Sequence, residues 1–105
     1  MPGSIQPAPM VDGSLCLALS GELDMAVVPH LDAEIDRALA LPAVREVLLD
    51  LARVSFVDSM VLGVLISGRQ RAEQRGVTFR LTNVPPNPRK ILDITGVLPY
   101  LADDA

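Results

Sequence analysis

An aspartate followed by a serine stands at a predicted joint between a buried strand and a helix. Residues 47–51 form a short apolar run typical of a strand buried on both faces, and Leu62 and Leu65 recur at helical spacing. Asp58 is then the natural N-cap, because its carboxylate can accept from the free amides of the first turn. Ser59 would begin the helix with its hydroxyl near solvent, where the helix dipole tolerates a phosphate. Position alone leaves two roles open for this serine, a helix cap, which is the commoner one, or a phosphorylation site.

The second predicted helix carries apolar side chains away from its core face. At 100° per residue, Leu62, Leu65 and Ile66 share one face, whereas Met60 and Val64 point roughly the opposite way. Neighbouring loops would cover these two residues if their role is structural. If they are exposed, they form a contact patch for a partner around the start of the helix.

The sequence lacks the residues of a catalytic site. It contains one histidine, His30, and one cysteine, Cys16, so neither a serine nor a cysteine triad can be assembled. It also has no Gly-x-x-x-x-Gly-Lys-[Ser/Thr] loop to hold a nucleotide phosphate. A lone cysteine excludes an intrachain disulfide and a thiolate metal cluster, and we expect Cys16 to be a small buried residue. We interpret the chain as a substrate and binding partner, not an enzyme, and predict no cofactor.

Composition indicates one acidic globular domain. Of the 105 residues 50% are hydrophobic and 21% are charged, which suffices for one core and not for two domains. The net charge of -4 and the pI of about 4.7 argue against nucleic acid or an acidic membrane surface as partner and favour a basic one. The first ten residues do not resemble a secretion signal, and the longest uncharged apolar run, residues 59–68, is shorter than the roughly 20 residues that span a bilayer. We expect a cytoplasmic protein without membrane insertion.

Turn signals and periodicity predict an opening hairpin followed by alternating helices and strands. Residues 5–11, interrupted by two prolines, can only form an edge strand, and Asp12-Gly13 then turns the chain into a second strand. The later predicted elements are a helix from Asp24 to about Ala40, a central strand at 46–51, a helix at 59–75, a strand at 77–82, a third helix and a strand at 98–101. The carboxylates of the first helix, Glu34 included, are expected mostly to face water. Gly76 stops the second helix, and the third is capped by Asn87, has Pro88 at its first position and ends at Gly96. The fold class is α/β, with helices packed on a mixed sheet.

Three segments of the chain resemble a known family. Residues 56–65, FVDSMVLGVL, resemble the signature of the STAS domain, in particular that of the small bacterial anti-sigma factor antagonists, where an Asp-Ser pair begins a helix that runs into Leu-Gly. Residues 20–24, SGELD, resemble the loop after the family's second strand, and residues 87–97, NPRKILDITGV, resemble its third helix and glycine stop. The resemblance implies a single STAS-type domain over residues 1–105, with its core at about 10–101.

The resemblance also implies a regulatory mechanism. In the antagonists the serine at the position of Ser59 is phosphorylated by the partner, an anti-sigma factor that is itself a serine kinase. The unphosphorylated form would bind that partner and free a sigma factor, phosphorylation would switch this off, and a PP2C-type phosphatase would fit the return step. The implied partner-binding residues are Glu22, Asp24, Asp58, Ser59, Met60, Val61 and Val64.

Three carboxylates come together if the loop after the second strand approaches the second helix as it does in the family. They are Glu22, Asp24 and Asp58. Without a supporting ligand spacing such carboxylates are usually solvated, so we interpret them as helix caps and partner contacts and predict no metal site.

Departures from the family pattern leave alternatives open. Many antagonists have Ser or Thr where Met60 stands and Gly where Val61 stands, so a relative that binds without being phosphorylated remains an alternative. Two further alternatives are a STAS subunit of a lipid-transport ABC complex, which docks on an ATPase and needs no phosphorylation, and a stressosome-like scaffold domain. The expected assembly is a monomer or weak dimer.

The family's final amphipathic helix has no predicted counterpart in this chain. Too few residues follow Gly96 to form it. We expect the N-terminal segment, with its apolar residues Ile5 and Met10, to shield the surface that this helix would cover.

Overall fold

The computed structural model describes residues 2–95. One four-stranded sheet has its strands in the spatial order β1-β2-β3-β4, with β1 antiparallel to β2 and the remaining pairs parallel. The strands are β1 Ser4–Pro7, β2 Ser14–Leu23, β3 Glu46–Val57 and β4 Thr78–Thr82, and the helices are α1 Val28–Ala40, α2 Ser59–Gln74 and α3 Pro86–Thr95. The predicted α/β fold with a mixed sheet and packed helices is confirmed.

A tight turn closes the predicted opening hairpin. Val11 and Ser14 exchange two backbone hydrogen bonds of 2.9 Å each. The residues between them, Asp12 and Gly13, have φ values of 52° and 81°. Both values are positive, as the primed two-residue hairpin turns require, and this explains why an Asp-Gly pair stands there. The strand before the turn lies at the sheet edge and ends at Pro7, which can donate no ladder hydrogen bond.

The core lies between one face of the sheet and the helices α1 and α2. Gly68 lies where α2 packs closely on α1 and β4, because a Cβ atom there would lie 3.0 Å from Phe79 Cζ and 3.2 Å from Ile35 Cγ2. At the rim, the Arg71 guanidinium joins α2 to α1 through the Asp32 carboxylate at 2.8 Å and through that of Asp36. The largest fully buried side chains are Leu17, Leu19, Leu23, Leu31, Ile35, Leu49, Leu51, Leu65, Phe79, Leu81 and Leu92.

Two side chains differ from their predicted environments. Glu34 is buried, because it lies one turn before Ala38 on the inner stripe of α1, and its carboxylate reaches Arg37 at 3.3 Å and His30 at 3.8 Å. Cys16 is only half-buried, since it alternates with the inward-facing Leu15 and Leu17 and so lies on the opposite face of the sheet.

Several elements differ from their predicted limits. The first strand, β1, spans Ser4–Pro7 and not residues 5–11, because prolines cannot donate to the ladder, and α1 begins at Val28, because Asp24 caps a separate 3₁₀ turn, Met25–Val27. The central strand β3 continues to Val57, and α3 begins at Pro86, because prolines fit a first helical turn whose amides need no intrahelical acceptor. The predicted helix end at Gly96 and the strand at 98–101 lie outside the described residues. None of the helices within residues 2–95 is long and apolar enough to cross a membrane.

Candidate functional site

The candidate site lies where two parallel strands end side by side. Leu23, the last residue of β2, pairs with Val57, the last residue of β3. The Asp58 amide then donates to the Leu23 carbonyl at 3.1 Å, which fixes the chain between β3 and α2. The start of α2 is therefore held at the carboxyl edge of the sheet, where α/β proteins commonly place their binding residues.

The Asp58 side chain caps α2 as the sequence predicts. Its backbone is extended, with φ of -97° and ψ of 176°, and its Oδ1 atom accepts from the Val61 amide at 2.9 Å. Ser59 is the first residue of the helix and is exposed. Because the neighbouring carboxylate already serves the first turn, the Ser59 hydroxyl is left to face solvent.

The loop after β2 approaches the start of α2, as expected from the family. Glu22 pairs with Phe56 in the last part of the parallel ladder, and both Glu22 and Asp24 are exposed. Asp24 caps the single 3₁₀ turn Met25–Val27, with its Oδ1 accepting from the Ala26 amide at 3.0 Å. In the part of the chain that the structure describes, no three His, Cys, Asp or Glu side chains are arranged to hold a metal ion.

Three exposed apolar side chains, Met25, Phe56 and Met60, surround this end of the sheet, and we call them the apolar rim. Their exposed fractions are 67%, 41% and 55%. Met60 belongs to the predicted contact patch, whereas the other two are not among the residues that the sequence indicated. The sequence missed Phe56 because the predicted strand ended at residue 51, whereas β3 continues to Val57 with a bulge where the ladder skips Ser55 between the pairs Gly21–Val54 and Glu22–Phe56. This bulge turns Val57 inward and Phe56 outward.

One predicted contact residue is wrong. The side chain of Val61 is fully buried, so it belongs to the core and cannot touch a partner. The reason is the orientation of α2, whose inner stripe runs through Val61, Leu65, Gly68 and Ala72 at spacings of four, three and four residues. Val64 is half-buried and packs against the core cluster, so its partner contact stays a prediction that rests on its outer edge alone.

The combination of a mixed-sheet α/β domain with an exposed serine at a capped helix start defines the class of the protein. The chain belongs to the STAS domain family, whose model matches residues 7–102. This confirms the resemblance carried by the three sequence segments.

The chain is similar to bacterial proteins named anti-sigma factor antagonists. The chain is 34% identical over 92 residues to an anti-sigma F factor antagonist of Lysinibacillus sphaericus, covering 86% of this chain and 77% of that one. It is 29% identical over 85 residues to one of Paenibacillus polymyxa, with coverages of 81% and 73%. The unphosphorylated form of the anti-sigma factor antagonist SpoIIAA superposes with a TM-score of 0.81 at 26% identity, over 93% of this chain and 85% of that one. Its phosphorylated form from Bacillus gives 0.74 at 26%, over 93% and 88%.

Proposed function

We propose that the protein is an anti-sigma factor antagonist whose unphosphorylated form binds an anti-sigma factor and thereby frees a sigma factor in the cytoplasm. The observation that carries this proposal is the exposed Ser59, held at the first position of α2 by the Asp58 cap. The similarity to antagonists from two bacteria and to SpoIIAA supports it.

The proposed contact surface combines apolar and acidic side chains. The apolar rim offers area that loses water on binding, and Glu22 and Asp24 lie exposed beside it. Such a surface fits a partner whose apolar patch is bordered by Lys or Arg, in agreement with the net charge of -4. The predicted contacts of Glu22, Asp24, Asp58, Ser59, Met60 and Val64 belong to this surface, and Val61 supports it from beneath.

The proposed switch is phosphorylation of Ser59 by the bound partner, in its capacity as a serine kinase. The Ser59 Oγ atom attacks the γ-phosphorus of ATP held by the kinase, a new O–P bond forms, ADP leaves, and a base of the kinase takes the hydroxyl proton. We assign the base to the kinase and not to Asp58, whose Oδ1 atom accepts from the Val61 amide. Its role is to position the first turn. Hydrolysis by a PP2C-type phosphatase returns the free hydroxyl.

Electrostatics explains how the added phosphate would end binding. It brings a charge of about -1.5 to -2 next to Asp58, whose amide is bound to the carbonyl of Leu23, the residue before Asp24. Two like unit charges 4 Å apart repel by about 1 kcal/mol in water and about 4 kcal/mol at the effective dielectric of a protein surface. When the partner binds over this site it excludes water, and the repulsion energy then approaches about 4 kcal/mol. Since about 1.4 kcal/mol changes an affinity tenfold, one phosphoryl group suffices to release the partner.

The test combines intact-mass measurement with a binding assay, using the anti-sigma factor encoded beside or regulated with this protein. With ATP the wild-type protein should gain one phosphoryl group and lose its affinity, whereas Ser59→Ala should gain none and remain bound. Ser67→Ala is the matched control, since Ser67 is an exposed serine on the same helix, and it should behave as the wild type. Phosphorylation at another residue, or unchanged binding after phosphorylation of Ser59, would refute the proposed switch. Failure to bind any anti-sigma factor would refute the antagonist function itself.

A further inference from the structure

A row of hydrogen-bond donors crosses three strands on the face of the sheet opposite to α1 and α2. Ser4 of β1 pairs with Ser20 of β2, and Ser20 pairs with Arg53 of β3. Two hydroxyls and a guanidinium thus follow one another at the strand spacing of about 4.8 Å. The Oγ atoms of the two serines are 2.6 Å apart and share a hydrogen bond. We call these three residues the donor row.

The donor row lies in a groove of about 410 Å³ lined by Ser4, Gln6, Ala18, Leu19, Ser20 and Arg53. Its volume is within the roughly 300–1,000 Å³ typical of small-ligand sites. The short side chain of Ala18 leaves room beside the row, and Gln6 faces Ala18 across the β1–β2 ladder. The groove therefore offers donors on one side and open space on the other.

A bulge in β3 brings Arg53 into the row. Ala18 pairs with Asp50, but Ser20, only two residues later, pairs with Arg53, three residues later on β3. The extra residue puts Ala52 and Arg53 on the surface in succession, between the buried Leu51 and Val54. Bulges commonly redirect a side chain next to a functional site, and this one places the guanidinium beside the serine hydroxyls.

The charges around the groove favour an anion. Within residues 2–95 the Arg53 side chain has no hydrogen-bond or ion-pair partner, whereas those of Arg71 and Arg80 are paired with carboxylates. No carboxylate lines the groove. Asp50, which precedes the bulge and pairs with Ala18, accepts at its Oδ1 atom from the Ala52 amide at 3.0 Å and from Asn83 Nδ2 at 3.1 Å, so this oxygen is directed to neighbours of its own.

We propose that this groove binds a small organic phosphate monoester. The guanidinium of Arg53 pairs with two phosphate oxygens, and a serine hydroxyl of the donor row donates to the third. A carboxylate has only two oxygens in one plane, so it would be satisfied by the guanidinium alone and would leave the hydroxyls unused. The volume exceeds what a phosphate group fills, and the organic part would lie over Ala18 next to Gln6.

The proposal can be tested without a protein partner, by following backbone amide NMR signals during titration at low ionic strength, where the charge pairing is least screened. Glucose 6-phosphate is the probe, with inorganic phosphate, acetate and glucose as comparison arms. We expect saturable shifts with a millimolar dissociation constant, largest at the amides of Ser4, Ser20 and Arg53, and a weaker response to each of the other three compounds. Arg53→Gln should weaken binding by about tenfold or more, and Ser20→Ala by a smaller factor.

The matched control is Arg37→Gln, which removes a guanidinium that is 73% exposed on α1, far from the groove lining. This variant should bind glucose 6-phosphate as the wild type does. Shifts that never saturate, an affinity that Arg53→Gln and Arg37→Gln reduce equally, or acetate binding as tight as that of the phosphate would each overturn the proposal. Equal affinities for inorganic phosphate and glucose 6-phosphate would overturn the placement of the organic part.

Discussion

Replacing Asp58 by alanine isolates the cap that holds Ser59 in place. The variant loses the 2.9 Å hydrogen bond from the Val61 amide to Asp58 Oδ1. Loss of such an N-cap costs about 1 kcal/mol, and loss of a negative charge at a helix N-terminus costs about 0.3–1 kcal/mol more. We therefore expect a decrease of about 1.5 kcal/mol in the free energy of unfolding. For a domain of this size that corresponds to a fall of about 6–12 °C in the melting temperature.

Urea denaturation measures this change, because a loss of stability without a change of the unfolded state lowers the midpoint and leaves the m-value unaltered. Asp58→Ser keeps an oxygen acceptor for the Val61 amide and should recover most of the stability. Asp24→Ala is a second control, since Asp24 is exposed and caps only a three-residue turn. It should change the free energy by no more than about 0.5 kcal/mol.

The same variants separate the structural role of Asp58 from a chemical one. If the carboxylate only positions the first turn, Asp58→Ser should be phosphorylated at Ser59 nearly as fast as the wild type, and Asp58→Ala more slowly. The reasoning fails if Asp58→Ala unfolds at the wild-type urea concentration. It also fails if Asp58→Ser is folded normally and yet is not phosphorylated, which would make the carboxylate itself essential for the transfer.

Other predictions concern contact, reactivity and the edge strand. Met60→Asp should melt as the wild type does and weaken partner binding by about tenfold, because the side chain is exposed, whereas Val61→Asp should abolish cooperative unfolding, because it buries an unpaired charge. The reverse pattern in melting and binding would contradict both assignments. Burial and, to a lesser degree, the Asp50 carboxylate raise the pKa of the Cys16 thiol, so Asp50→Asn should lower that pKa. The variant should then react faster with iodoacetamide at mildly alkaline pH, and an unchanged rate would argue against the electrostatic contribution of Asp50. Deleting residues 1–9 removes β1 with the buried Ile5 and exposes the edge of β2, so the truncated protein should self-associate in sedimentation or melt at a lower temperature. Unchanged sedimentation and melting would refute the role of the N-terminal segment in covering the sheet.

Much of the fold was predictable because its signals are local. Asp12 and Gly13 turn the chain wherever such a pair separates two alternating strands, and Gly76, with a φ of 69°, ends α2 in a conformation that few other residues adopt. The cap at Asp58 depends on a side chain and an amide three residues later, so it too can be inferred from sequence. These features need no knowledge of the tertiary packing.

The missed features depend on contacts between distant segments. The part of β3 that carries Phe56 lies beyond the predicted strand end at residue 51, and its two bulges, before Arg53 and at Ser55, appear only in the pairing of β3 with β2. Val61 was misplaced because its stripe on α2 is selected by Ile35 and Phe79, which pack against Gly68 from α1 and β4. Glu34 is buried by the position of α1 on the sheet, which helical periodicity alone does not determine.

The burial of Val61 supports a local switch, in which phosphorylation of Ser59 changes the contact surface without unfolding the helix. Two residues after Ser59 the helix is already anchored, since Val61 is fully buried and its amide is bound by Asp58. On the other side, the Asp58 amide is bound to the end of β2. A phosphoryl group on Ser59 would therefore change the charge of a surface whose backbone is fixed at both ends, and the helix N-terminus tolerates that charge. Phosphorylation would then change the affinity for the partner and not the stability of the fold, as a reversible regulator requires.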